Sequence, residues 1–138
     1  MKISLWTNTK DEKQEILNLT KKIFGDVDIT KTSYFDWQYR DNPNGKAIVL
    51  LARDDDSKNS LVGTNTIIPQ KLIVDGEIIT SSLACNVQVH SSYRKKHIFS
   101  DLLLSMPNSA LTNDVHSLFA IPNDNSFKAF INEGSIEI

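Results

Sequence analysis

The sequence predicts a mixed α/β fold, and three observations carry that prediction. Short apolar runs of strand length alternate with amphipathic helical stretches. Three of those runs are joined by tight turns, as antiparallel neighbours are, and the next strand is reached only through a helix, as in a parallel crossover. A chain of 138 residues holds one domain with one sizeable core, so residues 1–138 read as a single unit.

The elements follow in order. Ile3 to Trp6 alternates and reads as a first strand. From Asp11 to Phe24, Ile16, Leu19 and Ile23 recur at helical spacing with Leu17 and Phe24 beside them, and Gly25 stops the helix. A second short helix starts after Thr32 or Ser33, carries Tyr34, Phe35, Trp37 and Tyr39, and ends before the turn Asn42-Pro43-Asn44-Gly45. Ala47 to Ala52 is a nearly continuous apolar strand. The solvated turn Asp54 to Asn59 leads to its alternating partner, Leu61 to Pro69. Lys71 to Val74 and Glu77 to Ile79 flank Asp75-Gly76, a dipeptide suited to a tight hairpin, and a long strand runs on from Glu77 to Val89.

A loop spans His90 to Lys96. The helix after it places Ile98, Phe99, Leu102, Leu103 and Met106 on one face; Pro107 is expected to kink or end it, although Ala110 and Leu111 continue the pattern. His116 to Ile121 is a short strand and Asn123 to Glu133 a last helix before Gly134. Ser135 to Ile138 suffice for the start of one more strand.

Composition narrows the function. With 40% apolar and 23% charged residues the chain is ordinary for a soluble protein. A formal charge of −2 gives no electrostatic reason to expect nucleic acid or an anionic membrane as partner. Cys85 is the single cysteine, so no intrachain disulfide forms and no cysteine cluster holds a metal; in its apolar run it reads as a buried thiol rather than a nucleophile. No apolar stretch approaches the roughly 20 residues of a membrane span, and the N-terminus lacks a signal-peptide core. A reducing, cytoplasmic location is the expectation.

The informative stretch is Val87 to Phe99, where a buried strand feeds the basic loop of Arg94, Lys95 and Lys96, and the loop feeds a helix N-terminus. Unpaired N–H groups and the positive end of the helix dipole attract phosphate there, and the basic side chains add to it. A solvated basic turn between two core elements is the plainer alternative.

This segment resembles the acyl-CoA-binding motif of the GNAT superfamily of N-acyltransferases, a strand followed by Arg/Gln-x-x-Gly-x-Gly/Ala and a helix, with Arg94 on the leading position. Tyr93-Arg94-Lys95-Lys96-x-Ile98-Phe99 is similar to a bacterial branch that reads Arg-x-x-Gly-Ile-Phe. Trp37-x-Tyr39 before Asn42-Pro43-x-Gly45, Val62-Gly63 and Asp75-Gly76 fall in that branch's order, and Asn123, Ser126, Phe130 and Gly134 match the spacing of a motif on the last helix. The resemblance implies a GNAT-like fold and transfer of an acyl group, usually acetyl, from acetyl-CoA to a primary amine, without a metal. It implies that backbone groups from Lys95 through Lys96, His97 and Ile98 to Phe99 cradle the pyrophosphate. Asn123 and Ser126 join the cofactor site. Main-chain atoms of Val87 and Val89 pair with the pantetheine arm, with an N–H near Val87 as oxyanion donor.

Some positions depart from the family pattern. His97 stands on a glycine position, where a Cβ and an imidazole obstruct close approach; donation from a protonated imidazole to a phosphate is the alternative. Phe130 stands where many members place a proton-donating tyrosine. No carboxylate lies between Glu77 and Asp101; Asn86 occupies the place of the usual acid and cannot accept a proton. A water chain or His90 is the candidate base, with termination of the strand in solvent as the plainer role of His90. Trp37 and Tyr39 are candidates for an acceptor pocket, against packing on the sheet. The chain ends at Ile138, where a complete family domain carries further strands, so the expectation is a fold lacking the last strands, with an open sheet edge suited to a homodimer. The rival function is a non-catalytic relative serving as a binding or dimerisation module.

Overall fold

Lys2–Leu5 (β1), Ile48–Asp54 (β2), Ser60–Val74 (β3), Glu77–Val89 (β4) and Leu118–Ala120 (β5) form one sheet in chain order, in a computed structural model that describes residues 1–138. The first four strands pair antiparallel; β5 joins β4 in parallel through Ile98–Leu111 (α3), the crossover that the sequence predicts. Lys10–Phe24 (α1) and Thr32–Phe35 (α2) lie between β1 and β2, and Asp124–Asn132 (α4) follows β5.

The near-continuous apolar run of β2 reflects a strand covered on both faces. Ile48, Leu50 and Ala52 point one way and, with Val62, Ile67 and Val89, pack under Ile98, Leu102, Met106 and Ala110 of α3. Ala47, Val49 and Leu51 point the other way and, with Ile68, meet Ile16 and Leu17 of α1 and Phe35 and Tyr39. Alternate side chains of one strand thus feed two cores. The guanidinium of Arg53 at the end of β2 grips both carboxylate oxygens of Glu15, which ties α1 to the sheet.

Local chemistry sets the helix ends. Thr9 accepts from the Glu12 N–H while the Glu12 carboxylate reaches back to the Thr9 N–H, a reciprocal cap for α1, and Gly25 ends the helix with φ of 79°. After α2 the chain widens into a π turn over Asp36–Arg40, closed by the Asp41 N–H on the Asp36 carbonyl. The apolar spacing carries no sign of that turn.

Three expectations need correction. The runs Leu61 to Pro69 and Lys71 to Val74 are one strand, because Pro69 costs no ladder bond. Its partner Ser82 turns its N–H away to Ser117, so the ring nitrogen of Pro69 faces the side where β2 has already begun pairing at Ile67 and no strand runs. Pro107 does not end α3, which continues to Leu111; Met106 and Ala110 on either side of it are both buried on the sheet, and that packing holds the helix through the missing bond. Ser135 to Ile138 form no strand.

Candidate functional site

The site begins where β4 and β5 part. Their pairing is confined to Ser82–Ala84 against Leu118–Ala120, and β4 then runs on from Cys85 to Val89 with no neighbour on that side. On its other side, Thr64 pairs with Gln88 and Thr66 with Cys85, so Asn65 alone faces both Asn86 and Val87. This is a β-bulge, with Asn86 in the left-handed region at φ of 51°. Before the bulge the Ser82 N–H points to β5; after it the His90 N–H bonds to Val62 of β3. By the two-residue period, the main-chain groups of Val89 and Val87 then point outward into the gap.

Beyond Val89 the chain makes a 3-10 turn at Ser91–Tyr93 and two left-handed steps, Lys95 at φ of 65° and His97 at 61°, before α3 begins. Histidine is among the few side chains that visit this region with some frequency, which is how His97 takes a position suited to glycine. The first helical bond of α3 runs from Asp101 to the His97 carbonyl, and no side chain caps the helix. The N–H groups of Ile98, Phe99 and Ser100 are therefore free of intrahelical partners. Thr9 and Asn123, by contrast, cap α1 and α4 with their side chains.

A cleft of about 700 Å³ opens at this point. Val87 and Val89 form its floor, Arg94, Lys95, His97, Ile98 and Phe99 one side, and Asn123 and Ser126 of the α4 cap another. Nine of the residues singled out from the sequence thus meet in one place. Arg94 and Lys95 pair with no carboxylate of the chain. Asn123 Oδ1 accepts from the Ser126 N–H at 3.0 Å, so these two also hold each other. Phe130, half-buried, packs edge-on to Phe99 at 6.4 Å.

Other residues are placed differently. Lys96 lies outside the cleft with its ammonium 4.8 Å above the Tyr93 ring. His90 also lies outside: its Nδ1 accepts from the Ser92 N–H at 3.3 Å, so the neutral ring carries its proton on Nε2 and has no nitrogen free to act as a base. Tyr39 is buried in the core and Trp37 is 63% exposed, stacked edge-on to Tyr34. Burial pushes the Tyr39 hydroxyl up to about 12 and the Cys85 thiol up to about 12, so both stay protonated. No group of three or more His, Cys, Asp or Glu side chains converges as a metal site would require, and no helix is long and apolar enough to cross a membrane.

The sequence pattern missed several lining residues. Ile23 and Phe24 wall the cleft from the end of α1; the signal was the half-exposed Phe24 just outside the buried stripe of that helix. Gln88 is buried, donates to Thr20 and Thr64, and leaves its Oε1 without a partner beside the cleft.

Comparison with known proteins agrees with this geometry. A Trypanosoma brucei acetyltransferase structure superposes with a TM-score of 0.74 at 12% identity, covering 99% of this chain and 94% of that one. A predicted acetyltransferase from Clostridium acetobutylicum, solved with acetyl-CoA, gives 0.75 at 14% identity, covering 99% and 92%. A ribosomal-protein-alanine N-acetyltransferase from Brucella melitensis gives 0.73 at 18%, covering 99% and 94%. At these identities the likeness is one of fold. No curated protein matches the chain. The family model for the acetyltransferase (GNAT) domain matches residues 6–124, from the end of β1 into the cap of α4, and by that match the chain belongs to the GNAT acetyltransferases.

Proposed function

We propose that the chain transfers an acetyl group from acetyl-CoA to a primary amine, with the cleft at the end of β4 as its cofactor site. The observation that carries this reading is the meeting of three unpaired helix N–H groups with two unpaired cations at the open edge of β4. Such a set suits a diphosphate, because each N–H and each cation stabilises anionic oxygen. The volume falls in the range of cofactor pockets. The similar Clostridium acetobutylicum protein was solved with acetyl-CoA, which fits the same reading.

In this reading Ile98, Phe99 and Ser100 offer their N–H groups to the pyrophosphate while Arg94 and Lys95 neutralise its charge. The N–H and carbonyl of Val89 and the carbonyl of Val87 pair with the pantetheine arm as a missing strand would. Asn123 and Ser126 close the far wall. When bound, the cofactor supplies an activated thioester, so no protein nucleophile is needed, in keeping with a Cys85 thiol held protonated by burial. The Val87 N–H is assigned to the developing oxyanion. The acceptor attacks as a neutral amine; its C–N bond forms as the thioester C–S bond breaks, and its surplus proton passes to the departing thiolate or to water, since neither His90 nor Asn86 is placed to take it. Trp37 remains open to an acceptor; Tyr39, buried, does not. A homodimer through the unpaired outer edge of β5 accompanies this proposal, and sedimentation would test it.

Calorimetric titration with acetyl-CoA and CoA tests the cofactor site. Micromolar binding is expected, weakened about tenfold to a hundredfold by Arg94→Glu. A folded protein that ignores millimolar ligand would overturn the reading in favour of a non-catalytic binding or dimerisation module.

A further inference from the structure

The bulge of β4 determines which main-chain groups reach the gap. One extra residue on β4 moves the outward phase from the even positions, where Ser82 bonds toward β5, to Val87 and Val89. The residue that makes the bend is Asn86, at φ of 51°. Asparagine enters this region more readily than other side chains bearing a Cβ. Its side chain is also held. Nδ2 donates both hydrogens, one to the Tyr39 hydroxyl at 2.9 Å and one to Gln38 Oε1 at 3.0 Å. The Tyr39 hydroxyl lies 3.2 Å from Thr66 Oγ1, on the strand opposite the bulge. With its oxygen accepting from Asn86, Tyr39 has its own proton to give to Thr66. Its ring is locked by edge-on Trp6 and tilted Phe35. The bend in β4 is thus fastened to the core of the α1 and α2 face.

We infer that Asn86 is a positioning residue for acyl transfer, one that fixes the left-handed bend through Tyr39 and Gln38 and so aims the Val87 N–H at the thioester carbonyl. The inference rests on the acetyl-CoA reading above. It gives a role to a position where a catalytic carboxylate was expected, and to Tyr39, which is too buried to touch an acceptor. Tolerance of the bend and anchoring of the bend are separable. Glycine tolerates φ near 50° at least as well as asparagine, but cannot make either side-chain bond.

The test follows the Val87 amide by NMR in the whole protein during titration with acetyl-CoA and, separately, with CoA. In the native protein the Val87 amide proton should move with acetyl-CoA and much less with CoA, because only the former carries the carbonyl. In Asn86→Gly and in Tyr39→Phe that acetyl-specific shift should fall by about half or more, with CoA affinity kept within about threefold. If Tyr39→Phe fails to fold, Gln38→Ala removes one anchor from a half-exposed position and serves in its place. A full acetyl-specific shift in Asn86→Gly would overturn the inference, leaving Asn86 as a residue that merely accepts the bend. Binding of both ligands to the native protein with no distinct Val87 response would also overturn it, while leaving the cofactor site standing. Absence of binding by either ligand would remove the cofactor reading itself, and this inference with it.

Discussion

The Tyr93 hydroxyl donates to the Asp54 carboxylate, fastening the loop after β4 to the far end of β2. The two residues lie 39 apart in sequence, so the bond fixes where the basic loop sits relative to the sheet. It holds the Asp54 carboxyl below the ordinary carboxylate range and the Tyr93 phenol above its own. A depressed acid contributes stability above its unfolded pKa and loses it as pH falls through the folded one; a raised phenol contributes below its unfolded pKa and loses it as pH rises through the folded one. The clamp should therefore hold unchanged between about pH 4 and about pH 10. Tyr93→Phe should leave thermal stability nearly unaltered and weaken CoA binding about threefold through a looser loop, measured by calorimetry at neutral pH. An equal loss of stability and affinity would assign the bond to the fold instead.

Lys95 and Lys96 are adjacent, yet they face different ways. Lys95 lines the cleft, and Lys96 spends its charge over the Tyr93 ring. Lys95→Ala should weaken CoA binding by about threefold to tenfold and flatten its dependence on salt, while Lys96→Ala changes it by less than about twofold. Titrations at low and at physiological ionic strength separate the two. Equal effects from both would mean that simple net charge, rather than placement, governs attraction to the loop.

The backbone of His97 is left-handed and carries a side chain. That conformation costs a residue with a Cβ roughly 1–2 kcal/mol. Glycine avoids this cost but loses about 0.5–1 kcal/mol of unfolded-chain entropy. His97→Gly should therefore stabilise the protein by about 0.5–1 kcal/mol, a rise of a few degrees in Tm. It should also tighten CoA binding, since the imidazole lines the cleft beside the free N–H groups of α3. A stabilised variant with weaker binding would show that the imidazole itself contacts the cofactor.

Much of this was legible in the residues because the relevant signals are local. Helical spacing, Gly25, the Asp75-Gly76 hairpin and the strand–loop–helix at Val89 to Ile98 each act through neighbours in sequence, and each appears where expected. What escaped depends on contacts between distant segments. Pro69 is tolerated only because β2 begins pairing at Ile67, and Pro107 only because Met106 and Ala110 share a buried face. Asn86 looked like a missing acid; its role comes from Tyr39 and Gln38, 47 and 48 residues away. The opposite placement of Lys95 and Lys96 likewise depends on a left-handed step that no composition signals.

Gly63 sits where α3 presses on β3. A Cβ there would lie 3.1 Å from the Gln88 carbonyl oxygen, 3.2 Å from Leu102 Cδ1 and 3.3 Å from Ile98 Cγ2. The carbonyl belongs to a paired strand, and Ile98 and Leu102 are both buried, so none of the three can move freely. Gly63→Ala should destabilise the fold by about 1–3 kcal/mol in denaturant unfolding. Because Ile98 opens α3, the same change should shift the helix N-terminus and weaken CoA binding. Neutral stability would mean that α3 can lift off the sheet at its first turn without loss.

Cys85 follows Ala84, the last β4 residue paired with β5, and packs against the α1 and α2 core. Burial pushes its thiol up to about 12, against an unfolded value of about 8.5. A raised folded pKa contributes stability that is fully present below the unfolded value and is lost as pH rises toward the folded one. Stability should accordingly decline between about pH 8.5 and pH 12 as the unfolded chain alone ionises, and Cys85→Ala should remove that part of the decline. At pH 8 the folded thiol stays protonated, so alkylation of the native protein should be slower than of the unfolded chain. Rapid modification of the folded protein at that pH would show that the partial burial of Cys85 does not hold its thiol protonated.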